Sequence, residues 1–457
     1  MESKYIVDMT TGNEIRLLLR FALPMVVGNI FQQFYNLVDS AIVGRFVGPN
    51  ALGAVGVVGS LNFFFFSLCL GLGSGIGILI SQYFGAGEEE YIKKIIANAV
   101  YVITAAGILM GISGICLAKP VLRLMNTPEA NFADAVTYMR IVCGTTIVLA
   151  AYNGISAILR ALGDSKTPLI FLVMASVINI ALDLLFVLVF HMGVAGAAWA
   201  TIISQGIAAG GSVVFAMAKN PYLQLKKEHF LIDRDIIKKS FQIGLPVAGQ
   251  SALIAFSCIA LQSVVNHYGS VVMAAFTATS RVEQLVQQPF NSLGMAVSTF
   301  AGQNAGAGKL ERVKTGCKKA SMLVVIFSVL MIIVMCTCGT AIVSLFIKEA
   351  EIIEIGAKGL RITSFMYFGL GTIYVMRGML NGVGDAPYAV INGICEVAGR
   401  IGFAFLLMMI PSVGIWGVWY TNGLTWMLAG SAGVIRFLQG KWKTKSLVAQ
   451  DEHKEAV

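Results

Sequence analysis

The sequence predicts an all-α polytopic membrane protein in which twelve transmembrane helices form two pseudo-symmetric six-helix bundles. Three observations predict this class. The composition is strongly apolar, apolar runs long enough to cross a bilayer follow one another along the chain, and the second half repeats short motifs of the first half in the same order.

Apolar types make up 57% of the 457 residues and charged types only 12%, whereas a soluble protein carries about 25% charged residues. A chain with this charge deficit places most of its length in lipid. The formal net charge of +9 comes mainly from Lys and Arg in short loops. Membrane topology explains those residues, so no nucleic-acid partner is expected.

Twelve apolar runs approach or exceed the roughly 20 residues that a helix needs to cross a bilayer. Their approximate limits are 15–44, 52–83, 94–118, 133–159, 168–190, 194–218, 237–267, 271–303, 316–347, 356–382, 387–410 and 414–438. Lys and Arg concentrate in the N-terminus, in alternate loops and in the C-terminal tail, which predicts that both termini face the cytoplasm. The start of the chain is polar and mixed in charge, so no cleaved signal peptide is expected.

Short motifs recur at an offset of about 221 residues. The stretch Gln82–Gly87 returns as Gln303–Gly308, and Gly163-Asp164 returns as Gly384-Asp385. Six spans in each half make the halves parallel repeats, and transporters built in this way bind their substrate between the repeats, near the midplane. The predicted domains are an N-terminal bundle (1–218), a cytoplasmic linker (219–236), a C-terminal bundle (237–440) and a cytoplasmic tail (441–457).

Two aspartates fall inside predicted spans of the first half. Asp39 ends a polar stripe in the first span, and Asp183 follows Asn179 by one helical turn in the fifth. A charge at the bilayer centre costs roughly 2.5–3.5 kcal/mol, so such residues are functional candidates by default. Both lie about two turns from the outer end, where the pair could hold a proton or a cation. The alternatives are a helix–helix seam for Asp39 and an interfacial carboxylate facing water for Asp183.

The second half differs at these positions. The residue that matches Asp39 is apolar, near Ala260 or Leu261, and the stretch Glu396 to Arg400 stands where Asn179 to Asp183 stood, if a small gap is allowed. Glu396 and Arg400 are four residues apart and are either an ion pair or part of a cavity. The polar residues of the eighth span line either a cavity or a seam. The candidate substrate-cleft residues are Gln32, Asn36, Arg281, Gln284, Gln287, Gln288, Glu396 and Arg400.

Several other sites are not expected. The glycine-rich segment Gly71–Gly77 lies inside a span with no strand before it, and Gly308-Lys309 lacks the rest of a phosphate-binding loop. The eight cysteines and four histidines do not cluster, so neither a disulfide framework nor a His/Cys metal site is predicted. Energy must then come from an ion gradient or a partner, and the chain is expected to have no enzymatic activity and no cofactor.

These features resemble the multidrug and toxic compound extrusion (MATE) family along nearly the whole chain. The resemblance rests on the twelve spans, on the segment Tyr35–Gly44, on Arg160–Asp164 and on Asn179–Asp183. It implies an H⁺- or Na⁺-coupled antiporter in the cell (plasma or inner) membrane. Such a protein exports amphipathic, often cationic, small molecules by alternating access and acts as a monomer.

Within that family the sequence is most similar to the DNA-damage-inducible-like branch, whose ion site lies in the N-terminal bundle. The matching positions are Tyr35, Asp39, Tyr138, Asn153, Asn179, Asp183 and Thr201, with Asp39 and Asp183 as metal ligands if Na⁺ is the coupling ion. Another branch has acidic ligands in the C-terminal bundle, but the stretch Ala255–Cys258 lacks the expected Glu. Two alternatives stay open: a flippase for a lipid-linked precursor, which would use Arg281, Arg377 and Arg400, and a membrane-embedded enzyme.

Overall fold

The computed structural model describes residues 6–125 and 127–448, and the regular elements in that part of the chain are all helical. The α-helices are α1 (Glu14–Ile42), α2 (Pro49–Ala86), α3 (Glu89–Leu124), α4 (Glu129–Gly144), α5 (Thr146–Ala161), α6 (Lys166–Asp183), α7 (Gly193–Lys219), α8 (Arg234–His267), α9 (Ser270–Gly306), α10 (Leu310–Ser344), α11 (Ala350–Ser364), α12 (Tyr367–Gly382), α13 (Ala386–Met408) and α14 (Gly417–Leu438). Two π-helical turns, Val43–Val47 and Leu184–Val189, extend α1 and α6. Four short 3-10 helices cover Pro221–Leu223, Lys227–Phe230, Gly414–Trp416 and Lys441–Thr444.

These fourteen α-helices in the described residues make twelve membrane spans, as the sequence predicts, because two spans are broken. Helices α4 and α5 meet at Thr145 with a bend of 46°, and α11 and α12 meet at the corresponding place, Phe365-Met366. By length and mean hydropathy alone, seven helices in the described part pass as membrane spans, or eight if the bent pair counts as one. Helices α1 and α9 fall outside that set, and both carry polar stripes that the sequence analysis singled out.

The chain forms two compact units. The first comprises Met1–Asp8 and Pro24–Ala248, and the second comprises Met9–Leu23 and Gly249–Val457. The division therefore falls inside α1, beside Pro24, and inside α8, just after Pro246. The sequence-based bundle limits follow the repeat and stay a prediction. Residues 449–457 of the predicted tail lie outside the described residues.

The backbone repeats at a constant offset of 221 residues. Glycines with a left-handed backbone occur in four matched pairs: Gly48 and Gly269, Gly87 and Gly308, Gly163 and Gly384, Gly193 and Gly414. The φ angles of Gly163 and Gly384 are +86° and +87°, a region that only glycine enters at no steric cost. Turns of the same geometry at matched positions support the internal repeat that the motifs predict.

The constant offset corrects one sequence-based expectation. The glycines before and after α6 match those before and after α13 at this one offset. The alignment of the two helices therefore needs no gap. Arg400 therefore corresponds to Asn179 and Ala404 corresponds to Asp183, whereas the sequence analysis had aligned Glu396 to Arg400 with Asn179 to Asp183. The expected apolar match to Asp39 is Ala260 at the same offset.

Close helix packing in the second unit depends on glycine. A Cβ atom at Gly378 of α12 would overlap the carbonyl oxygen of Gly294 in α9, and one at Gly382 would overlap that of Ser298. Small residues at this spacing let membrane helices approach until their backbones touch. The matched positions of the first unit, Ala157 and Ala161, carry a methyl group, so the corresponding contact there leaves room for it.

The start of α1 and the segment before α8 are each held by polar contacts. The Glu14 carboxylate, in the first turn of α1, accepts hydrogen bonds from Arg312 (3.1 Å) and Lys319 (2.7 Å). The predicted linker 219–236 contains two 3-10 helices, and its His229 ring nitrogen Nε2 lies 3.0 Å from Oε2 of Glu90. Buried Asn98 of α3 accepts from the backbone N–H of Asp233 at 3.0 Å. These contacts hold the linker in place, so it is ordered rather than a flexible tether.

Candidate ion-coupling site

The structure brings the two intramembrane aspartates of the first unit together. The carboxyl groups of Asp39 on α1 and Asp183 on α6 lie close enough to share a hydrogen bond. Asp183 is fully buried. The Oδ1 atom of each residue is buried without a hydrogen-bond partner. A buried carboxylate oxygen with no partner is costly unless it receives a proton or a cation.

The Asn179 amide, itself held by a backbone N–H, orients the Asp183 carboxylate. With the Asn179 amide turned so that both of its ends are satisfied, its nitrogen donates to Oδ2 of Asp183 at 3.1 Å and its oxygen accepts from the backbone N–H of Thr201 at 3.2 Å. The Thr201 hydroxyl donates to the Ala197 carbonyl at 3.1 Å. Asn179 and Asp183 face the same way because they are one helical turn apart. Helices α6 and α7 therefore hold one carboxylate in a fixed direction.

Two tyrosines complete the site. Tyr35 on α1 and Tyr138 on α4 lie within electrostatic range of both carboxylates, and Tyr138 is also near Tyr35. Tyr138 packs against a buried apolar cluster whose members include Ala54 and Val58 of α2. Six of the seven predicted ion-site residues thus gather where α1, α4, α6 and α7 meet.

The seventh predicted residue, Asn153, is not among them. Its amide nitrogen donates to the Leu149 carbonyl of its own helix at 2.9 Å. No contact recorded for the described residues links it to either aspartate. Its role in ion coupling stays a prediction.

The groups of the site that could bind a cation are oxygen atoms. In the described part of the chain, no Lys, Arg or His makes an ion pair with Asp39 or Asp183. A set of carboxylate, amide, hydroxyl and backbone oxygens suits a proton or a hard cation such as Na⁺. Across residues 6–125 and 127–448, no group of three or more His, Cys, Asp or Glu side chains could hold a metal ion. The site therefore does not have the ligand set of a tightly bound transition metal.

A π-helical turn begins within four residues after each aspartate. Val43–Val47 begins four residues after Asp39, and Leu184–Val189 begins immediately after Asp183. The two turns contact each other and both contact α7. π-helical turns are rare in proteins overall, and those that occur often lie at functional sites. The sequence analysis missed this feature, because Leu-Leu-Phe-Val-Leu-Val carries no signal that separates a π turn from an ordinary apolar helix.

The candidate residues Glu396 and Arg400 of the second unit lie in a buried ion network. Oε2 of Glu396 accepts from Arg400 at 3.1 Å, and Oε1 accepts from Arg377. Arg377 also donates to Asn392 (2.8 Å), and Arg400 donates to Ser257. The pairing of Glu396 with Arg400 was one of the two alternatives that the sequence left open. Sequence reasoning missed Arg377 as a partner because it lies on another helix, 19 residues away.

The polar stripe of α9 is mixed in environment. Arg281 and Gln284 are exposed, Gln288 donates to the Gln284 carbonyl at 2.9 Å, and Gln287 accepts from the Tyr374 hydroxyl at 3.3 Å. Glu283, on the next face, is buried beside Thr363. On α1, Gln32 is half-buried and Asn36 is exposed. As substrate-cleft residues, all of these remain predictions.

Comparison with known proteins decides the family. Residues 24–185 and 246–406, one segment in each half, match the family model MatE. The chain belongs to the MatE family. Its members are membrane transporters rather than enzymes, and this chain is a multi-pass transporter of that fold. Assignment to the DNA-damage-inducible-like branch stays a prediction.

Relatives of full length are similar to the chain. The probable multidrug resistance protein YpnP of Bacillus subtilis is 30% identical over 97% of this chain and 99% of its own. YoeA of the same organism is 31% identical over 93% and 94%. The multidrug export protein MepA of Staphylococcus aureus is 24% identical over 88% of both chains. Since nearly the whole length aligns, the twelve-span fold is common to these proteins.

Solved structures show the same fold. An outward-facing multidrug resistance MATE family transporter matches with a TM-score of 0.90, at 23% identity, over 97% of this chain and 100% of that chain. A MOP superfamily transporter from Pyrococcus furiosus matches with a TM-score of 0.88, at 22% identity, over 97% and 100%. The all-α architecture with two six-helix bundles that the sequence predicts is therefore confirmed.

Proposed function

We propose that this protein is a cation-coupled antiporter that exports amphipathic, often cationic, drugs and toxic compounds, with H⁺ or Na⁺ as the coupling ion. The observation that carries the proposal is the pair Asp39 and Asp183, whose carboxyl groups meet without an ion pair to any Lys, Arg or His of the described residues. The relatives named for multidrug resistance and export support the substrate class.

The coupling step follows from repulsion between like charges. When both carboxylates are ionised, they repel each other strongly in a low-dielectric site. One proton, or one Na⁺ bound by the carboxylate oxygens with the help of Asn179 and Thr201, removes that repulsion and draws α1 towards α6. Loss of the ion reverses the change. Occupancy of the site can therefore select between two arrangements of α1.

The available energy is sufficient for such a cycle. One elementary charge that moves through 100 mV gains roughly 2.3 kcal/mol. A tenfold concentration difference adds about 1.4 kcal/mol. Together these terms equal a concentration ratio of several hundredfold for one neutral substrate molecule per ion.

The same proposal covers location and partners. We place the protein in the plasma or inner membrane as a monomer with both termini in the cytoplasm, because Lys and Arg concentrate in those segments. The proposed partners are small-molecule substrates and the bilayer. The proposed substrate-cleft residues are Gln32, Asn36, Arg281, Gln284, Gln287, Gln288, Glu396 and Arg400.

No observation favours the flippase alternative. A pyrophosphate group needs free cationic side chains. Two of the three arginines that such a function would use, Arg377 and Arg400, already bind Glu396. We therefore do not propose lipid-precursor translocation.

The proposal is tested with the purified protein in liposomes. Ethidium movement is followed under an imposed proton gradient and, separately, under an imposed sodium gradient, for the wild type and for Asp39→Asn. We expect one gradient to drive movement in the wild type, which identifies the ion, and Asp39→Asn to lose it. Full gradient-driven movement by Asp39→Asn would contradict the proposal.

A further inference from the structure

The first two turns of α1 carry a pair of unpartnered arginines. Arg16 and Arg20 are one helical turn apart, so their side chains leave the same face of the helix, and both are exposed. Among the described residues, neither guanidinium group makes an ion pair or a side-chain hydrogen bond. Most other cations near this end of the second unit have partners: Arg312 and Lys319 bind Glu14, and Lys314 lies 3.6 Å from Glu311.

The nearest carboxylate is not available to neutralise the pair. Glu14 is the only acidic residue between Met9 and Leu23. Its two carboxylate oxygens are bound by Arg312 and by Lys319, and its side chain is only 14% exposed. The two positive charges therefore stand without a counter-charge in this segment.

The surroundings of the pair are amphipathic. An open cleft of about 890 Å³ is lined by Asn13, Ile15, Arg16, Leu19 and Arg20. Leu19 is 37% exposed and Leu23, one turn further into the membrane, is 58% exposed. The polar end of this face thus leads directly to an apolar surface. Such an order matches a phospholipid, which has a charged headgroup at the interface and acyl chains below it.

The positions of the other half that match Arg16 and Arg20 are apolar, Ile237 and Phe241. The first turns of α8 carry basic residues at other positions: Arg234 and Lys238 are exposed, whereas Lys239 is buried. It pairs with Asp235 at 2.6 Å, and its ammonium group lies over the rings of Tyr83 and Tyr91. That charge is neutralised within the protein. The charges of Arg16 and Arg20 are left for a ligand.

We propose that Arg16 and Arg20 bind the phosphate of an anionic phospholipid from the cytoplasmic leaflet, with an acyl chain along Leu19 and Leu23. Guanidinium groups match phosphate oxygens in a two-pronged geometry. The cytoplasmic leaflet carries the anionic lipids that attract basic segments beside membrane helices. The inference goes beyond ion coupling and is independent of Asp39 and Asp183. It uses only the cytoplasmic location of the N-terminus.

The test compares lipid preference between two variants of equal charge. The full-length wild type, Arg16→Gln/Arg20→Gln and the control Lys441→Gln/Lys443→Gln are reconstituted in nanodiscs of phosphatidylcholine mixed equally with phosphatidylglycerol. Lys441 and Lys443 are exposed in the C-terminal segment of the same unit. Lipids that remain bound after mild detergent exchange are counted by native mass spectrometry. Thermal unfolding in phosphatidylcholine alone checks that the variants are folded.

We expect the wild type and the lysine control to retain phosphatidylglycerol selectively. The arginine variant should lose about fivefold in that preference for each arginine removed, with an unchanged midpoint of unfolding in phosphatidylcholine. Equal retention by the arginine variant, or an equal loss in the lysine control, would overturn the proposal. Complete displacement of phosphatidylglycerol by inorganic phosphate would show a free-anion site and would also overturn it. Failure of ion-coupled export would leave this result unaffected.

Discussion

The two halves share a backbone plan but differ in whether the carboxylates on their matched helices are paired with cations. In the first unit, Asp39 and Asp183 face each other, and no Lys, Arg or His among the described residues pairs with either. In the second unit, Glu396 is held between Arg377 and Arg400. Each half therefore carries an intramembrane charged cluster on its matched helix, α6 or α13, but only the cluster on α13 has its carboxylate paired with arginines in the described residues.

The residues at the matched positions account for this difference. At the offset of 221 residues, Asp39 corresponds to Ala260, Asn179 to Arg400 and Asp183 to Ala404. The second half thus lacks both acids and has a cation where the first half has an orienting amide. A buried ion pair has its charge balanced permanently. A pair of acids is balanced only when an ion is bound, which is the property that a coupling site needs.

The backbone differs at the same places. Helices α1 and α6 continue into π-helical turns near Asp39 and Asp183. In the described residues, α8 and α13 stay α-helical to His267 and Met408 and have no such turn. A π turn holds one extra residue in the helical register and is commonly kept for function. The irregular backbone therefore lies beside the aspartate pair of the first half.

The comparison predicts opposite effects of carboxylate removal on stability. Glu396→Gln leaves the buried Arg400 and the half-buried Arg377 without their counter-charge and should lower the free energy of unfolding by about 3–5 kcal/mol. Asp183→Asn removes one of two like charges and should leave that free energy unchanged or raise it. Denaturant unfolding in mixed micelles measures both. A larger loss for Asp183→Asn than for Glu396→Gln would break the comparison.

Glycine packing provides a smaller effect, confined to the second unit. Gly378→Ala places a methyl group against the backbone of Gly294 and should cost about 1–3 kcal/mol of unfolding free energy. Gly402→Ala, on α13, is the matched control, because a Cβ there meets nothing within 4 Å and alanine favours the helix. Thermal unfolding of the two variants checks the difference. Equal midpoints would show that the close contact of α9 and α12 is unimportant.

The smallest predicted effect should be the same in both halves. Gly87→Ala and Gly308→Ala each force a side chain into a left-handed backbone, at φ +81° and +69°, with no neighbouring atom within 4 Å. Each should cost about 1–2 kcal/mol from backbone strain alone. Unfolding measurements on the two single variants test this. A clear cost at one site and none at the other would show that the matched turns have different roles.

The sequence predicted the fold well because periodic, long-range signals determine it. Apolar runs of bilayer length gave the twelve spans, and the Gly-Asp turns gave the repeat. The breaks between α4 and α5 and between α11 and α12 were absent from that prediction, since Thr145 and Met366 are not helix-breaking residues. The alignment of Glu396 with Asn179 was wrong because it followed the similarity of side chains and needed a gap. The matched glycine turns on both sides of the helix keep a single offset of 221 residues.

The candidate site was predictable in part. The expense of carboxylates in lipid pointed to Asp39 and Asp183 without any structure. Their closeness, the direction of the Asn179 amide and the π turns all depend on how α1, α4, α6 and α7 pack, which one chain's sequence does not encode locally. The partnership of Arg377 with Glu396 likewise joins two helices whose contact no pattern in the sequence specifies.

The central claim, that ion coupling belongs to the first half, is tested most directly by one matched pair of substitutions. Asp183→Asn and Glu283→Gln each turn a buried intramembrane carboxylate into an amide, one in each unit. Gradient-driven ethidium transport is measured in liposomes for both variants and the wild type. The account predicts that Asp183→Asn falls to the level of empty liposomes while Glu283→Gln keeps gradient-driven transport. Coupled transport by Asp183→Asn together with its loss in Glu283→Gln would contradict the account.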